Sequence, residues 1–444
     1  MGQVMSRKSS VEWVKWFWSD RSGNFAVATG AAISVLVLAG GFAINIAQLT
    51  LTKSNLQQAL DSAVTSTARD LTTHKIDPED ADAMVSAFLQ ANGIRGFAQA
   101  DRVTLDRVEV DRSTRMVTAH ASVVLDLAFP VFRSSTTRRI AVESAALYSD
   151  KRIEVAMMLD VTGSMAGQKI KDLKKAAKGA VSTFLTGQDP DDPRVRVAIV
   201  PYADSVNVGA LANTVNVETG YTTDEPPAID SARSASSSFR PDTCATERKG
   251  RYQFSDASPW KAMPSRDYRL QFCPGAQLSP LTADKARLDN RIDSFSADGA
   301  TAGHIGIQWT WYMLSREWKD FLPTGSAPAR ASDDKTAKFA ILMTDGEFNT
   351  AFAGVGRWEQ PRTQQQTRSR NHAERLCEEM KKDGIEIFTV GFMLKESAAR
   401  QVMAKCASTD DASSKHYFEA GSGAELDAAF QAIAANIERL AIVK

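Results

Sequence analysis

The stretch VAMMLDVTGSMAGQKIKDL, which runs from Val155 to Leu173, joins an apolar strand-like run to an acid and two hydroxyl side chains. Asp160, Thr162 and Ser164 follow the point where a strand would end, and Mg²⁺ prefers oxygen ligands of this kind. Aspartyl-phosphate enzymes also place a nucleophilic acid at a strand end. The stretch therefore predicts either a metal site or a phosphoryl-transfer site, and the rest of the chain decides between them.

From Arg152 onward, apolar strand patterns alternate with amphipathic helical patterns. The predicted strands are Ile153–Asp160, Arg194–Tyr202, Lys338–Gly346 and Ile385–Phe392. Helices are predicted around Ile170 to Phe184, at Ala283–Phe295, Ile305–Trp318 and His372–Lys382, and in a segment that leads to Cys406. A last amphipathic helix is predicted from the apolar face formed by Leu426, Phe430, Ile433, Ile437 and Leu440. Such a pattern predicts an α/β domain over residues 151–444 with a doubly wound, mostly parallel sheet. Ligands of these folds lie beyond the carboxyl ends of the strands, where Asp160 and Asp345 stand.

An irregular insertion, about residues 215–278, interrupts this alternation. It is rich in Ser, Pro, Asp and Arg, contains Cys244 and Cys273, and predicts a surface segment held by its own disulfide. Either a partner-binding role or a tolerated decoration fits this composition.

The chain has four cysteines, Cys244, Cys273, Cys377 and Cys406. An even count in an exported chain predicts two disulfides, and we expect the sequence neighbours to pair, Cys244 with Cys273 and Cys377 with Cys406. Free buried thiols are the alternative. A zinc site is disfavoured because neither CxxC nor paired-histidine spacing is present.

An uncharged apolar stretch from Phe25 to Ile44 predicts one membrane span at residues 25–46, since about 20 helical residues rise about 30 Å. Residues 1–24 carry more basic than acidic side chains, which predicts a cytoplasmic amino terminus with the bulk of the chain outside the membrane. The basic residues are Arg7, Lys8, Lys15 and Arg21, and the acidic residues are Glu12 and Asp20. A cleaved signal peptide is the competing interpretation, although its apolar region usually has only about 7 to 15 residues.

Residues 47–150 predict a small helix-plus-sheet unit outside the membrane. Leu51 to Leu71 has helical spacing without Gly or Pro, so the membrane helix is expected to continue, and a second helix is predicted from Asp77 to Leu89. Three alternating segments follow and predict strands: RVTLDRVEVD, RMVTAHASVVLDLAF and RRIAVESAALYS. This order is the outline of a pilin-like unit.

Enzymatic function is disfavoured. The segment DVTGS resembles the DKTGT of ion-pumping ATPases, but such pumps need many spans, and Thr162 stands where related phosphatases need a second acid. The histidines fit no hydrolase motif, and only His304, near Thr301, is singled out for its position. They are His74, His120, His304, His372 and His416. Nucleic-acid binding is not indicated either, because 53 basic residues balance 53 acidic ones.

The glycine-flanked segment SADGATAGHIG presents a further hydroxyl, Thr301, just before a helix. Together with DxTxS and the later Thr-Asp-Gly, it resembles the von Willebrand factor A domain and its metal-ion-dependent adhesion site, over about Arg152 to Leu440. The resemblance implies that Mg²⁺, or alternatively Mn²⁺ or Ca²⁺, is held by hydroxyls directly and by acids mostly through water. The matching residues are Asp160, Thr162, Ser164, Thr301 and Asp345.

The segment from Arg21 to Leu71, which contains the apolar stretch, resembles the amino-terminal part of TadE/TadG-like proteins of tight-adherence (Flp) pilus assembly. Its combination with a carboxyl-terminal von Willebrand A domain resembles TadG-type proteins, although Asn45 stands near the place of an acid in many relatives. The resemblance implies a non-enzymatic inner-membrane assembly or adhesion factor for a type IVc pilus. Its expected partners are assembly components or pilins that offer a carboxylate. The alternative is a membrane-anchored von Willebrand A scaffold or surface adhesin unconnected to pili.

Overall fold

The computed structural model describes most of the chain in two compact units. One unit comprises residues up to Arg69 together with Pro78–Leu147, and the other comprises Asp70–Asp77 and residues from Tyr148 onward. The described residues are 23–72, 75–93, 103–129, 136–149, 151–186, 188, 192–222, 224–229, 240–333, 335–355, 362–411 and 414–443. The charged amino terminus, His74, part of the predicted insertion and the side chain of Leu440 lie outside them.

Helix α1, Gly23–Thr72, continues well past the apolar stretch, as its spacing predicted. It is long and apolar enough to cross a membrane, with a mean hydropathy of 2.1 in its most apolar window, of which only 6% is buried. Further along, Leu56, Leu60 and Val64 are fully buried, because they recur on one face at helical spacing. The helix therefore has an exposed apolar part followed by an amphipathic part that packs in the first unit.

The first unit also contains the predicted small helix and sheet. Pro78–Asp80 forms a 3₁₀ turn, α2 spans Ala81–Phe88, and Leu89–Gly93 forms a π-helical turn. Strands β1 (Val103–Asp111), β2 (Met116–Asp126) and β3 (Thr137–Leu147) form an antiparallel sheet in that order. The prediction of a helix-plus-sheet unit is confirmed.

Asn45 of α1 binds the backbone just beyond β2 from both sides of its amide. Its Nδ2 donates to the carbonyl oxygen of Phe129 at 2.7 Å, and its Oδ1 accepts from the Phe129 N–H at 3.1 Å. An ionised acid has no donor and makes only the second bond. The amide at this position therefore has a structural role of its own.

The second unit is built on a six-stranded sheet in the order β10-β5-β4-β11-β12-β13 among the residues described. All neighbours are parallel except β10, which is antiparallel to β5. The strands are β4 (Arg152–Asp160), β5 (Val195–Tyr202), β10 (Ser279–Thr282), β11 (Thr336–Thr344), β12 (Glu386–Phe392) and β13 (Tyr417–Ala420). The helices are α3 (Gln168–Leu185), α4 (Lys285–Asp293), α5 (Gly303–Leu314), α6 (Arg362–Lys382), α7 (Ser397–Cys406) and α8 (Gly423–Val443).

Both faces of this sheet are covered. Met158 of β4 packs in one apolar cluster with residues of α5, α6 and α7, while its neighbour Met157 packs in the other cluster with residues of α3, α4 and α8. Successive side chains of a strand point to opposite faces, so a strand buried on both sides reads as a continuous apolar run. The predicted doubly wound α/β fold is confirmed.

The insertion is irregular, as predicted, but it is not confined to the surface. Its regular elements in the described residues include a 3₁₀ turn at Gly250–Tyr252 and short two-residue strands. Strand β8 (Cys244–Ala245) pairs with β6 (Val206–Asn207), and β9 (Ser265–Arg266) pairs with β7 (Asn216–Val217). Residues 244–249 are all buried, so the prediction of a surface segment is wrong there. Burial is tolerated because the charged members find partners, such as Lys249, whose Nζ lies 2.7 Å from Glu218 and 2.8 Å from Asp267.

Both predicted disulfides are confirmed. Cys244 pairs with Cys273 inside the insertion, and Cys377 of α6 pairs with Cys406 at the end of α7. Each closes a loop between residues 29 positions apart, which constrains the unfolded chain and stabilises the fold.

Candidate metal centre

Asp160, the last residue of β4, is fully buried and accepts hydrogen bonds from the elements around it. Its Oδ1 accepts from the N–H and the hydroxyl of Thr162, at 2.9 and 2.6 Å. Its Oδ2 accepts from the hydroxyls of Tyr202 and Thr344, at 2.9 and 2.7 Å, and from the Asp345 N–H at 3.3 Å. Since these donors come from β5, β11 and the loop after β4, Asp160 ties three strand ends together.

Burial raises the pKa of Asp160 to about 6, and repulsion from Asp345 acts in the same direction. Hydrogen bonds from Thr162 and Thr344 stabilise the carboxylate and limit the rise. Two acids in a buried setting carry negative charge that a cation would offset. The electrostatics at this strand edge therefore favour an ion with positive charge.

The predicted hydroxyls of the first loop connect Asp160 with Asp345. Thr162 Oγ1 lies 2.9 Å from Ser164 Oγ, and Ser164 Oγ donates to Asp345 Oδ1 at 2.5 Å. Asp345 follows β11, which is the parallel neighbour of β4. The adjacent strand ends thus bring four of the five predicted residues into one hydrogen-bonded chain.

Thr301, the fifth predicted residue, comes from the loop before α5. A Cβ added to Gly346 would stand 3.1 Å from Thr301 Oγ1 and 3.5 Å from Ser164 Oγ, so both hydroxyls lie against the same glycine. The loop is held to the first one by the Gly163 N–H, which donates to the Gly299 carbonyl oxygen at 2.9 Å. The structure therefore brings Thr301 to the same edge as the other four residues.

Asn349 positions Thr301, a role that the sequence analysis missed. Its Oδ1 accepts from the Thr301 N–H at 2.9 Å, and its own N–H donates to the Thr301 carbonyl oxygen at 2.9 Å. The sequence offered one signal, because Asn349 lies only four positions after Asp345. The reciprocal pair locks the two loops together.

Lys169 also lies in the site, and no sequence signal distinguished it from the other lysines of α3. Its Nζ is 2.6 Å from Asp345 Oδ2, and its side chain is 23% exposed. Both oxygens of Asp345 are thereby engaged, one by Ser164 and one by Lys169. The ammonium group neutralises part of the charge that would attract a metal ion.

The site opens into a cleft of about 460 Å³. It is lined by Ser164, Lys169, Thr301 and Asp345, and by the segment from Met393 to Glu396. The donors that converge here are hydroxyl and carboxylate oxygens, the set that suits Mg²⁺, Mn²⁺ or Ca²⁺. A hard divalent ion therefore fits the residues, provided that Lys169 moves away from Asp345.

The histidines do not contribute to this site in the described residues. His304 is buried, with Nδ1 2.8 Å from Ser369 Oγ and Nε2 3.3 Å from Glu247 Oε1. His416 Nε2 lies 2.7 Å from Glu386 Oε1, and His120 lies on β2 in the other unit. His304, which the sequence analysis singled out for its closeness to Thr301, thus points to different partners.

The amino-terminal segment is similar to a known protein family. Residues 23–70 match the family model described as putative Flp pilus-assembly TadE/G-like. This match confirms the resemblance found in the sequence from Arg21 to Leu71. No curated protein matches the chain.

Solved structures similar to the chain include domains of pilus proteins. The vWF domain of the type V pili tip protein Mfa5 from Porphyromonas gingivalis is 16% identical, with a TM-score of 0.38, over 66% of this chain and 96% of that one. The pilus adhesin SpaC from Lactobacillus rhamnosus GG is 11% identical, with a TM-score of 0.39, over 76% of this chain and 34% of that one. Proximal thread matrix protein 1 from the mussel byssus, solved with a zinc-occupied MIDAS motif, is 13% identical, with a TM-score of 0.31, over 66% of this chain and 47% of that one. At such low identities and scores, these likenesses do not indicate a function.

Proposed function

We propose that this chain is a membrane-anchored, non-enzymatic assembly or adhesion factor of an Flp-type (type IVc) pilus. One observation carries the proposal: a segment that matches an Flp pilus-assembly family is joined in one chain to an α/β domain with an open cleft of hydroxyl and carboxylate oxygens. The first part supplies the pilus context and the second supplies a surface for binding.

We further propose that α1 anchors the chain in the bacterial inner membrane as a single span, with the bulk of the chain in the periplasm. The exposed apolar part of α1 has the length and hydropathy of a span. Two disulfides suit an oxidising compartment, which agrees with a periplasmic α/β domain. The basic residues before the span favour a cytoplasmic amino terminus.

The binding face is proposed to be a metal site formed by Asp160, Thr162, Ser164, Thr301 and Asp345. Mg²⁺ is the expected ion, with Mn²⁺ and Ca²⁺ as alternatives, because the donors are oxygens. Hydroxyl ligands are neutral, so the bound ion keeps much of its positive charge, and the cleft leaves room for one more ligand. A carboxylate of a pilin or assembly component is the natural occupant, since it adds negative charge beside both the ion and Lys169.

The experiment captures pilus components from detergent-solubilised membranes with the tagged full-length chain, with Mg²⁺ or with EDTA. Thr301→Ala should abolish the Mg²⁺-dependent capture, and cells that carry it should assemble few pili. Thr186→Ala is the matched control, because Thr186 is exposed at the carboxyl end of α3, away from the cleft.

The results separate the alternatives. Capture that is indifferent to EDTA and to Thr301→Ala contradicts the metal-dependent site. Normal pilus numbers in cells that lack the chain contradict the pilus function and favour a scaffold or adhesin unconnected to pili.

A further inference from the structure

A second cluster of metal-ligating side chains lies away from the cleft, between the insertion and two helices. Glu247 follows β8 in the insertion, His304 stands in the first turn of α5, and His372 lies on α6. One ligand atom from each residue lies within 4.8 Å of the others. Three separate elements thus converge on one point in the interior of the second unit.

Glu247 and His304 face each other with unpaired polar atoms. Both side chains are 1% exposed, and His304 Nε2 lies 3.3 Å from Glu247 Oε1. Neither His304 Nε2 nor Glu247 Oε2 has a hydrogen-bond partner, although Oε1 accepts from the N–H groups of Phe352 and Ala353. Buried polar atoms without a partner are costly, so a group that binds both is favoured here.

Ser369 contacts the other nitrogen of His304. Ser369 Oγ lies 2.8 Å from His304 Nδ1, and either atom can be the donor, depending on the tautomer of the imidazole. When Nδ1 carries the proton and donates it to Ser369, Nε2 presents its lone pair toward Glu247, and a cation would offset the repulsion between these two electron-rich atoms 3.3 Å apart. A hydrogen bond to the distal nitrogen is also how proteins usually orient metal-bound histidines.

His372 supplies a second imidazole next to this pair. Its ring lies 5.5 Å from the ring of His304, at a T-shaped angle. One of its ring nitrogens belongs to the group of three ligand atoms that lie within 4.8 Å of one another. The side-chain amide of Gln253 lies 3.4 Å from His372 Nδ1, and it fits either tautomer because the amide can flip.

Two sources of positive charge compete with a metal ion at this position, and they restrict which metal ion can bind. A proton on His304 is one, because an imidazolium would form an ion pair with the Glu247 carboxylate, whose Oε1 lies 3.3 Å from Nε2. The positive charges of Arg368 and Arg375 are the other, because they act on His372 and repel any cation. A weakly bound hard ion such as Mg²⁺ would not overcome both, whereas Zn²⁺ binds imidazole and carboxylate strongly.

We propose that Glu247, His304 and His372 form a second metal site, one that binds Zn²⁺. Three protein ligands leave the fourth tetrahedral position for water. The ion joins the insertion to α5 and α6, so it stabilises the packing of the segment that carries Glu247. The site shares no residue with the oxygen cleft, and the proposal does not rest on the proposed pilus function.

The test measures zinc bound to the full-length chain in detergent, by elemental analysis after equilibrium dialysis. The background is Ser164→Ala, Thr301→Ala, which removes two of the proposed ligands of the cleft and leaves the buried Asp160 in place. That background should bind one equivalent of Zn²⁺, and His372→Ala added to it should weaken binding at least about tenfold. Ser369→Ala should weaken it about 10- to 100-fold, the usual effect of losing the partner of a metal-bound histidine. His120→Ala is the matched control, since His120 has a 38% exposed side chain on β2 in the other unit.

Co²⁺ provides a spectroscopic readout that a purely structural role would not change. Four-coordinate Co²⁺ with nitrogen ligands should give strong visible absorption, and Glu247→Gln, which keeps the side-chain shape, should abolish it. Weak absorption only, or equal zinc affinity in the His372→Ala and His120→Ala variants, overturns the proposal. Glu247 and His304 would then be an ion pair held by a proton.

Discussion

Lys169 bears directly on the proposed metal site, because it engages an acid that a metal ion would need. Its ammonium lies 2.6 Å from Asp345 Oδ2, in a site that also contains Asp160 with a pKa raised to about 6 by burial and by Asp345. A metal ion must displace this contact before it gains Asp345. Lys169 therefore weakens metal binding in the free protein and becomes available to an anionic partner once displaced.

Lys169→Gln should raise the affinity for Mg²⁺ about tenfold, because it removes a positive charge that lies 2.6 Å from the proposed ligand Asp345. Calorimetric titration of the full-length chain in detergent measures this change. Lys175→Gln is the control, since Lys175 lies on the same helix with a 77% exposed side chain. Equal affinities for the Lys169→Gln and Lys175→Gln variants would contradict the competition.

Gly346 is a second position where a small change should affect the proposed metal site, because a side chain there would contact two of the hydroxyl groups. An added methyl group would meet Thr301 Oγ1 at 3.1 Å and Ser164 Oγ at 3.5 Å. Gly346→Ala should therefore weaken Mg²⁺ binding about tenfold and leave thermal unfolding nearly unchanged, as it displaces hydroxyls at the rim of the fold. A full loss of folded protein, measured by circular dichroism, would show instead that this turn tolerates no side chain.

Among the elements, the insertion departs most from its expected character, because charged side chains are buried in it. Lys249 is 2% exposed and contacts Glu218 and Asp267, and Arg269 contacts Asp267 at 2.9 Å. Burial raises the pKa of Glu218, while the nearby cations of Lys249 and Arg269 outweigh burial and lower the pKa of Asp267. The network lets an irregular segment pack like a core element.

Lys249→Met should destabilise the second unit by about 3 to 5 kcal/mol, because it leaves two buried carboxylates without their shared cation. Urea unfolding of the full-length chain, followed by tryptophan fluorescence, reports the change. Lys261→Met should cost less than about 1 kcal/mol, since that side chain is 55% exposed and its ion pair with Glu317 is long, at 3.4 Å. Similar losses for both variants would contradict the structural role of the network.

At the scale of the whole molecule, a long apolar helix is joined to a domain with two disulfides and a cleft. The apolar part of α1 and the disulfides agree with the proposed arrangement, which has an anchor in the membrane and the cleft outside the cytoplasm. The proposed anchor lies within residues 23–70, which match the pilus-assembly family model.

A periplasm-dependent reporter fused after Lys444 should be active, and a cytoplasm-dependent reporter at the same position should be inactive. The full-length chain should sediment with membranes at its uncleaved mass, and non-reducing peptide mapping should recover both disulfides. A shorter soluble species would contradict the retained anchor and favour a cleaved signal peptide. Activity of the cytoplasmic reporter would reverse the orientation.

The sequence by itself determined the elements, because their signals are local. Continuous apolar runs separated by amphipathic helices predicted the doubly wound sheet, and helical spacing after Leu51 predicted that α1 continues. The carboxyl ends of parallel strands meet at one edge, so strand order brought together most of the residues that the motifs identified. Even the disulfide pairing followed from closeness in sequence.

The tertiary structure alone decided which side chains share an environment. Lys169 and Asp345 are 176 positions apart, Glu247 reaches His304 from an irregular segment, and Tyr202 at the end of β5 donates to Asp160 at the end of the neighbouring β4. No local pattern encodes such contacts, because they depend on how loops pack over the strand ends. The burial of Lys249 has the same origin: a charged side chain is expected at the surface until distant acids supply the partners that make its burial tolerable.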